Sequence, residues 1–125
     1  MSGVAIVTGA GRGIGAATVA ALAAEGRRVV AVDRGGDDPR LPYAMASAAE
    51  LDAVVAAANE AAGEERVRAE LADAVDAAAM AAVVERAEEW GGLEVMVANA
   101  GVIAGKIPKR FPDKRRFISR PPLVC

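Results

Sequence analysis

Residues 4–15, Val-Ala-Ile-Val-Thr-Gly-Ala-Gly-Arg-Gly-Ile-Gly, decide the fold, because a short apolar run passes directly into a glycine-rich turn. The run at 4–7 is apolar and rich in β-branched residues, which predicts a buried strand. Residues 13–25 are mostly Ala, Val and Leu and are followed by Gly26, which predicts a helix closed by a C-terminal glycine. A glycine turn in this position lets the backbone approach an anion, and the helix N-terminus offers N–H donors to it. The stretch therefore predicts a strand, an anion-binding turn and a helix in that order.

The rest of residues 1–105 repeats the alternation of strand and helix. Further strands are predicted at residues 28–33, 66–71 and 93–98, and helices at 47–62 and 76–90. Ser47 with Glu50 forms the pattern of a capping box, and Asp76 is a second N-cap. Strands that alternate with helices indicate an α/β fold with a parallel sheet, and right-handed crossovers predict the strand order 3-2-1-4. We therefore expect a partial Rossmann (doubly wound) sheet of about four strands.

The composition excludes several classes of protein. The 125 residues include no His and one Cys, Cys125, so a conventional zinc site, an internal disulfide and a Ser-His-Asp or Cys-His catalytic arrangement are excluded. A net charge of −2 argues against a broadly basic nucleic-acid binder. No apolar run reaches the length of a membrane span, and the N-terminus lacks the pattern of a signal peptide. We expect a soluble, cytoplasmic protein without membrane or nucleic-acid partners.

The charge divides the chain into two unlike parts. Residues 1–105 carry a net charge of −8, whereas residues 106–125 carry +6 and four of the six prolines. No periodic pattern follows Gly105, and the lysines and arginines resist burial. We therefore predict a nucleotide-binding domain at 1–105 and a basic, Pro-containing, disordered tail at 106–125.

An acidic residue stands where a bound nucleotide would meet the second strand. Asp33 ends that strand 18 residues after Gly15, at the position where a carboxylate accepts hydrogen bonds from an adenosine ribose. The same carboxylate repels a 2′-phosphate, so NAD is favoured over NADP, although Arg34 next to it could attract a phosphate. The alternative is a tight turn with a solvated aspartate. Arg12 contacts a phosphate or is simply solvated, and the sequence leaves both open.

The motifs together resemble the short-chain dehydrogenase/reductase family. Its cofactor turn, TGxxxGxG, is matched at Thr8, Gly9, Gly13 and Gly15, and its NAG motif at Asn99, Ala100 and Gly101. The resemblance covers residues 4 to about 105 and implies a nicotinamide dinucleotide as cofactor. The positions that it implies for cofactor binding are Thr8, Gly9, Gly11, Arg12, Gly13, Ile14, Gly15, Asp33, Arg34, Asp73, Ala74, Asn99, Ala100 and Gly101. The longer stretch between Asp33 and Asp73, with Leu41-Pro-Tyr43, is similar to the mycofactocin-associated subgroup, in which the cofactor is held tightly and recycled in place.

The catalytic residues of that family have no counterpart here. The family uses a Tyr-x-x-x-Lys pair and a Ser downstream of NAG, but the only tyrosine is Tyr43, and Ser47 stands four residues after it. The resemblance implies an NAD(P)-dependent oxidoreductase that transfers hydride between NAD and an alcohol or ketone. The residues predict an inactive chain, truncated or frameshifted before the catalytic pair. The resemblance implies that Asn99 stabilises its strand and that the helices through which the family forms tetramers are missing. A non-catalytic NAD-binding module and a non-functional fragment remain as alternatives.

Overall fold

The structure is a computed structural model that describes residues 3–36 and 45–100, together with the backbone of residues 102–103 and 123–124. Tyr43, Gly101 and most of the basic tail lie outside the described residues. The elements, in chain order, are β1 (Val4–Thr8), α1 (Gly13–Ala24), β2 (Arg28–Asp33), α2 (Ala48–Ala62), β3 (Val67–Leu71), α3 (Ala77–Gly91), β4 (Leu93–Val97), β5 (Val102–Ile103) and β6 (Leu123–Val124).

The first four strands form one parallel sheet in the order β3-β2-β1-β4, which confirms the predicted topology. In the register of the sheet, Ile6 of β1 lies beside Val30 of β2 and Met96 of β4. The pairing of β1 with β4 has one irregularity, between Val4 and Ala5. The two-residue strands β5 and β6, which the sequence did not predict, pair antiparallel in a separate small sheet.

Apolar side chains of β1 and β2 alternate between the two faces of the sheet, so each face has its own core. On one face, Val7, Val29 and Ala31 pack with residues of α1 and α2, including Val19 and Leu51. The residues that pack on the opposite face, under α3, are Val4, Ile6, Val30, Val32, Val83 and Ala87. All residues of β1 are buried, which explains why residues 4–7 are apolar without interruption rather than at alternate positions.

The ends of the helices follow their local sequence. The Ser47 hydroxyl accepts a hydrogen bond from the Glu50 backbone N–H at 3.1 Å, and the Glu50 side chain accepts one from the Ser47 N–H, so the predicted capping box is present. Asp76 accepts from the Ala79 N–H at 3.1 Å and begins α3. These caps fix where α2 and α3 start relative to the carboxyl ends of the strands.

Strand β4 lies at the end of the described sheet. Within residues 3–36 and 45–100, no strand pairs with its outer edge, and Met96 is 47% exposed there. None of the helices in this part of the chain has the length and apolar character that crossing a bilayer requires. The boundary predicted at residue 105 stays a prediction.

Candidate dinucleotide-binding site

The glycine turn connects the carboxyl end of β1 to the start of α1. Gly9 has φ +66° and Gly13 has φ +56°, a left-handed conformation that side-chain-bearing residues rarely adopt. A Cβ at Gly9 would lie 2.9 Å from the Cα of Ala100, whereas one at Gly13 would meet none of the described residues within 4 Å. The turn is therefore packed against the end of β4 at Gly9 and open to a ligand at Gly13.

Helix α1 begins inside this turn without a side-chain cap. Arg12 is the N-cap residue and its side chain makes no capping hydrogen bond, and the first turn of α1 contains no acidic residue. Backbone N–H groups at such a helix start attract an anion, because they lack intrahelical acceptors and lie at the positive end of the helix dipole. A Cβ at Gly15 would come within 2.0 Å of the Gly9 carbonyl oxygen, so α1 starts in close contact with the turn. Ile14, between these glycines, is 77% exposed.

The Asp33 carboxylate is buried against the glycine turn. It is 8% exposed and accepts a hydrogen bond from the backbone N–H of Gly11 at 2.9 Å, and a longer one from the N–H of Gly35 at 3.4 Å. The main-chain carbonyl of Asp33 accepts from the Ala72 N–H at 2.9 Å. The Asp33 carboxylate is thus in direct contact with the glycine turn, through a hydrogen bond that the sequence did not predict, and it is not a solvated surface group.

Thr8 joins the turn to the end of β4. Its hydroxyl oxygen accepts hydrogen bonds from the backbone N–H of Asn99 at 3.1 Å and of Ala100 at 3.0 Å. The Asn99 side-chain amide donates to the Gly9 carbonyl at 3.4 Å. The two motifs that the sequence singled out, more than 80 residues apart in the chain, therefore lie in contact.

The Arg12 guanidinium is bound to Glu50 on α2. Its Nε lies 2.5 Å from Oε2 and its second terminal nitrogen 2.7 Å from Oε1, a two-bond ion pair with both side chains about half exposed. This hydrogen-bonded cation is the main reason that the pKa of Glu50 falls from its ordinary value of 4.5 to about 2. The Arg12 side chain is therefore paired with a carboxylate and is not simply solvated, and its contact with a phosphate stays a prediction.

Arg34, Asp73 and Ala74, the remaining predicted residues, follow the carboxyl ends of β2 and β3. Arg34 and Asp73 face each other, with 4.0 Å between guanidinium Nε and carboxylate oxygen. Asp73 also accepts from the Val75 N–H at 3.1 Å, and Ala74 between them is exposed. Leu71, 61% exposed, extends over Gly35, where a Cβ would lie 2.6 Å from its Cδ2. Exposed apolar groups beside the strand ends form a surface on which a flat ring can lie.

Sequence reasoning missed two residues at this site. Glu50 was expected only as part of a capping box, and Ala46 was not singled out, yet Ala46 is 8% exposed and packs against Gly11. A Cβ at Gly11 would lie 2.7 Å from the Ala46 Cβ and 3.0 Å from an Asp33 oxygen. The capping-box pattern at Ser47 and Glu50 does not indicate that Glu50 contacts Arg12, which lies 38 residues earlier in the chain.

A parallel βαβ sheet with a glycine turn at the end of β1 and an acid at the end of β2 defines a Rossmann-like protein. Comparison with known families is consistent with this class. The model of the short chain dehydrogenase family matches residues 3–118, and the chain belongs to that family. The matched range extends beyond residue 105.

Individual relatives agree with the family. The chain is 47% identical over 100 residues to the short-chain reductase protein NovJ of Streptomyces niveus, which corresponds to 79% of this chain and 33% of that protein. Carveol dehydrogenase from Mycobacterium avium in complex with NAD superposes with a TM-score of 0.75 and 30% identity, over 82% of this chain and 37% of that one. A metagenomic short-chain oxidoreductase in complex with NADP gives 0.66 and 32%, over 89% of this chain and 45% of that one. The chain thus spans about a third of the length of the curated relatives it matches.

Proposed function

We propose that this chain forms the NAD-binding part of an oxidoreductase that transfers hydride between NAD and an alcohol or ketone. The observation that carries the proposal is the Asp33 carboxylate, buried and hydrogen-bonded to the Gly11 N–H at the edge of the glycine turn. The NAD complex of the similar carveol dehydrogenase supports the choice of cofactor. When bound, the nicotinamide ring supplies the hydride acceptor or donor, and the residues here bind and orient the dinucleotide.

The turn fits the pyrophosphate of such a cofactor. The uncapped start of α1 offers its N–H groups, and the open space at Gly13 gives a phosphate room to approach them. Thr8, Asn99 and Ala100 hold the turn against the end of β4, and Gly101 continues that motif outside the described residues.

The adenosine half of the cofactor fits the ends of β2 and β3. Asp33 is placed to accept hydrogen bonds from ribose hydroxyls, which favours NAD, because a 2′-phosphate would meet its negative charge. Leu71 and Val75, 61% and 77% exposed, offer apolar surface to the adenine ring, beside Asp73 and Ala74. This accounts for the exposure of two large apolar side chains at this edge of the sheet.

The proton transfer of the family reaction is not assigned to any residue of this chain. Its only tyrosine is not followed by lysine four residues later, and Asn99 supports the strand end. We therefore propose that the 125 residues bind NAD without turnover, with a domain boundary near 105. The second candidate is a non-catalytic NAD-binding module that is not part of an oxidoreductase, and it is favoured by the same lack of a Tyr-x-x-x-Lys pair. Membership of the mycofactocin-associated subgroup, a cytoplasmic location and the lack of a family-type tetramer stay predictions.

The proposal is tested by titrating NAD and NADP into the purified chain by isothermal titration calorimetry. We expect saturable one-site binding of NAD and at least about tenfold weaker binding of NADP, since a charged contact is worth roughly that factor. Asp52→Asn, which removes an exposed carboxylate from α2, is the matched control and should bind like the wild type. Binding of neither dinucleotide would refute the proposal, and equal or tighter binding of NADP would refute the preference.

A further inference from the structure

Two arginines lie near the Asp33 end of the candidate site, and both are paired with carboxylates from other elements. Arg12 follows Gly11, the residue whose N–H binds Asp33, and its guanidinium is held by Glu50 through two hydrogen bonds of 2.5 and 2.7 Å. Arg34 follows Asp33 directly and faces Asp73 at 4.0 Å. The tighter of the two pairs is the one on the glycine turn.

Helix α2 reaches the glycine turn at two points. Ala46, just before the helix, packs against Gly11, and Glu50 in its first turn holds Arg12. The Glu50 side chain is itself positioned, because its Oε1 also accepts from the Ser47 N–H at 3.3 Å within the capping box. The carboxylate therefore has a defined place relative to the turn, which an isolated surface glutamate would lack.

The position of Arg12 matters for the choice of dinucleotide. Because the Gly11 N–H lies 2.9 Å from the Asp33 carboxylate, Arg12, the next residue in the chain, lies near the place where a phosphate on a ribose bound at Asp33 would be. A guanidinium is the side chain best suited to bind phosphate, since its planar fork donates two parallel hydrogen bonds. In this structure that fork is directed to the Glu50 carboxylate.

We propose that Glu50 is a specificity-determining residue of the dinucleotide site, which disfavours NADP by holding the Arg12 guanidinium away from a 2′-phosphate. The inference rests on the proposed function. Glu50 acts in addition to Asp33: the aspartate repels the phosphate directly, whereas the glutamate occupies the nearby cation that would attract it. The two carboxylates belong to different elements, β2 and α2, so their effects are separable by substitution.

The test compares Glu50→Gln with the wild type by calorimetric titration of NAD and NADP at low salt. Glutamine keeps the oxygen that accepts from the Ser47 N–H, so α2 retains its cap, but it loses the charge that holds Arg12. We expect NADP to bind about tenfold more tightly to the variant while the affinity for NAD changes less than about threefold, as one released charged contact predicts. Glu60→Gln, an exposed glutamate near the other end of α2, is the control for general loss of negative charge.

A second variant assigns the effect to Arg12. In the double variant Arg12→Leu/Glu50→Gln the gain in NADP affinity should vanish, and Arg12→Leu alone should not narrow the preference for NAD. An unchanged NADP-to-NAD ratio in Glu50→Gln, or a gain that survives in the double variant, would overturn the role of Glu50 while leaving the proposed function intact. Failure of the wild-type chain to bind either dinucleotide would overturn both. Circular dichroism of each variant checks that α2 is still formed.

Discussion

The backbone N–H of Gly11 and the carboxylate of Asp33 form a 2.9 Å hydrogen bond that joins the glycine turn to the end of β2. The carboxylate is almost fully buried, so it has one defined position beside the turn, whereas an exposed aspartate side chain would adopt several. This contact makes the two motifs, 22 residues apart in the chain, one structural unit.

Replacing Asp33 by asparagine tests the charge apart from the shape. The amide oxygen can still accept from the Gly11 N–H, so the turn should keep its structure. We expect NAD to bind about tenfold more weakly and NADP to change little or to improve, because the charged acceptor is lost for one ligand and the repulsion for the other. Calorimetry measures both, with Asp52→Asn as control. An unchanged ratio of the two affinities would contradict the role of the carboxylate.

Replacing Thr8 by valine tests the link between the turn and β4. Valine has a similar shape but cannot accept the hydrogen bonds from the Asn99 and Ala100 N–H groups. The Asn99 N–H has a second acceptor in the Val97 carbonyl, so the main cost is one unsatisfied amide, about 1–2 kcal/mol in the free energy of unfolding. Urea unfolding gives this value. Thr18→Ala removes a hydroxyl on the exposed side of α1 and should cost less; equal losses would argue against the link.

Gly15 should tolerate no side chain. Because a Cβ there would lie 2.0 Å from the Gly9 carbonyl oxygen, Gly15→Ala must displace α1 or the turn. We expect a loss of about 1–3 kcal/mol in stability, typical of overpacking, and weaker NAD binding. Gly36→Ala is the control, since a Cβ at that position meets nothing within 4 Å in the part of the chain that the structure describes, and its φ is not left-handed. Thermal unfolding of the two variants side by side decides the point, and a Gly15→Ala chain as stable as the control would disprove the close contact.

Because of the ion pair of Glu50 with Arg12, the free energy of unfolding should decrease as the pH falls below the ordinary pKa of a glutamate. Its pKa in the folded chain is about 2, below the ordinary 4.5, so folding favours the ionised form. The contribution is complete above the ordinary pKa and is lost as the pH falls toward about 2. Glu50→Gln should therefore lose less stability than the wild type between about pH 5 and pH 2. Parallel melting curves measure this difference, which should shrink in high salt because the pair is half exposed.

The isolated chain should show no dehydrogenase turnover. Loss of general acid–base catalysis alone lowers rates roughly 10²- to 10⁴-fold, and no Tyr-x-x-x-Lys pair is present in its sequence. The assay follows NADH formation with a set of secondary alcohols, in preparations from a host lacking its own alcohol dehydrogenases. NADH formation that co-purifies with the chain and disappears in Gly15→Ala would contradict the expectation.

The strand order and the main elements could be predicted because local sequence determines them. Residues 4–7 of β1 and 29–32 of β2 are apolar without interruption because both faces of the sheet are covered. Ser47 with Glu50 marks the start of α2 in the sequence itself. Asp33 could be placed on the same side of the sheet as the glycine turn because parallel strands all end at the same edge, but its hydrogen bond to Gly11 was not predicted.

The partner of Arg12 could not be predicted in the same way. Arg12 and Glu50 are 38 residues apart, and an ion pair between a turn and a helix leaves no periodic pattern in the sequence. Ala46 gives still less signal, because an alanine becomes part of the site only through its packing against Gly11. Such contacts depend on how α2 docks on the sheet, which is a property of the whole domain.

The hydrogen bonds to the Thr8 hydroxyl also make the exchange of two distant amide hydrogens depend on the state of the glycine turn. The amide hydrogens of Asn99 and Ala100 are bonded to a residue of the glycine turn, so they exchange with solvent only when that turn opens. A dinucleotide that stabilises the turn must slow their exchange, although these two residues come some 90 positions later in the chain. Deuterium uptake in a peptide ending at Ala100 would thus register occupancy of a pocket whose glycines belong to an entirely different peptide.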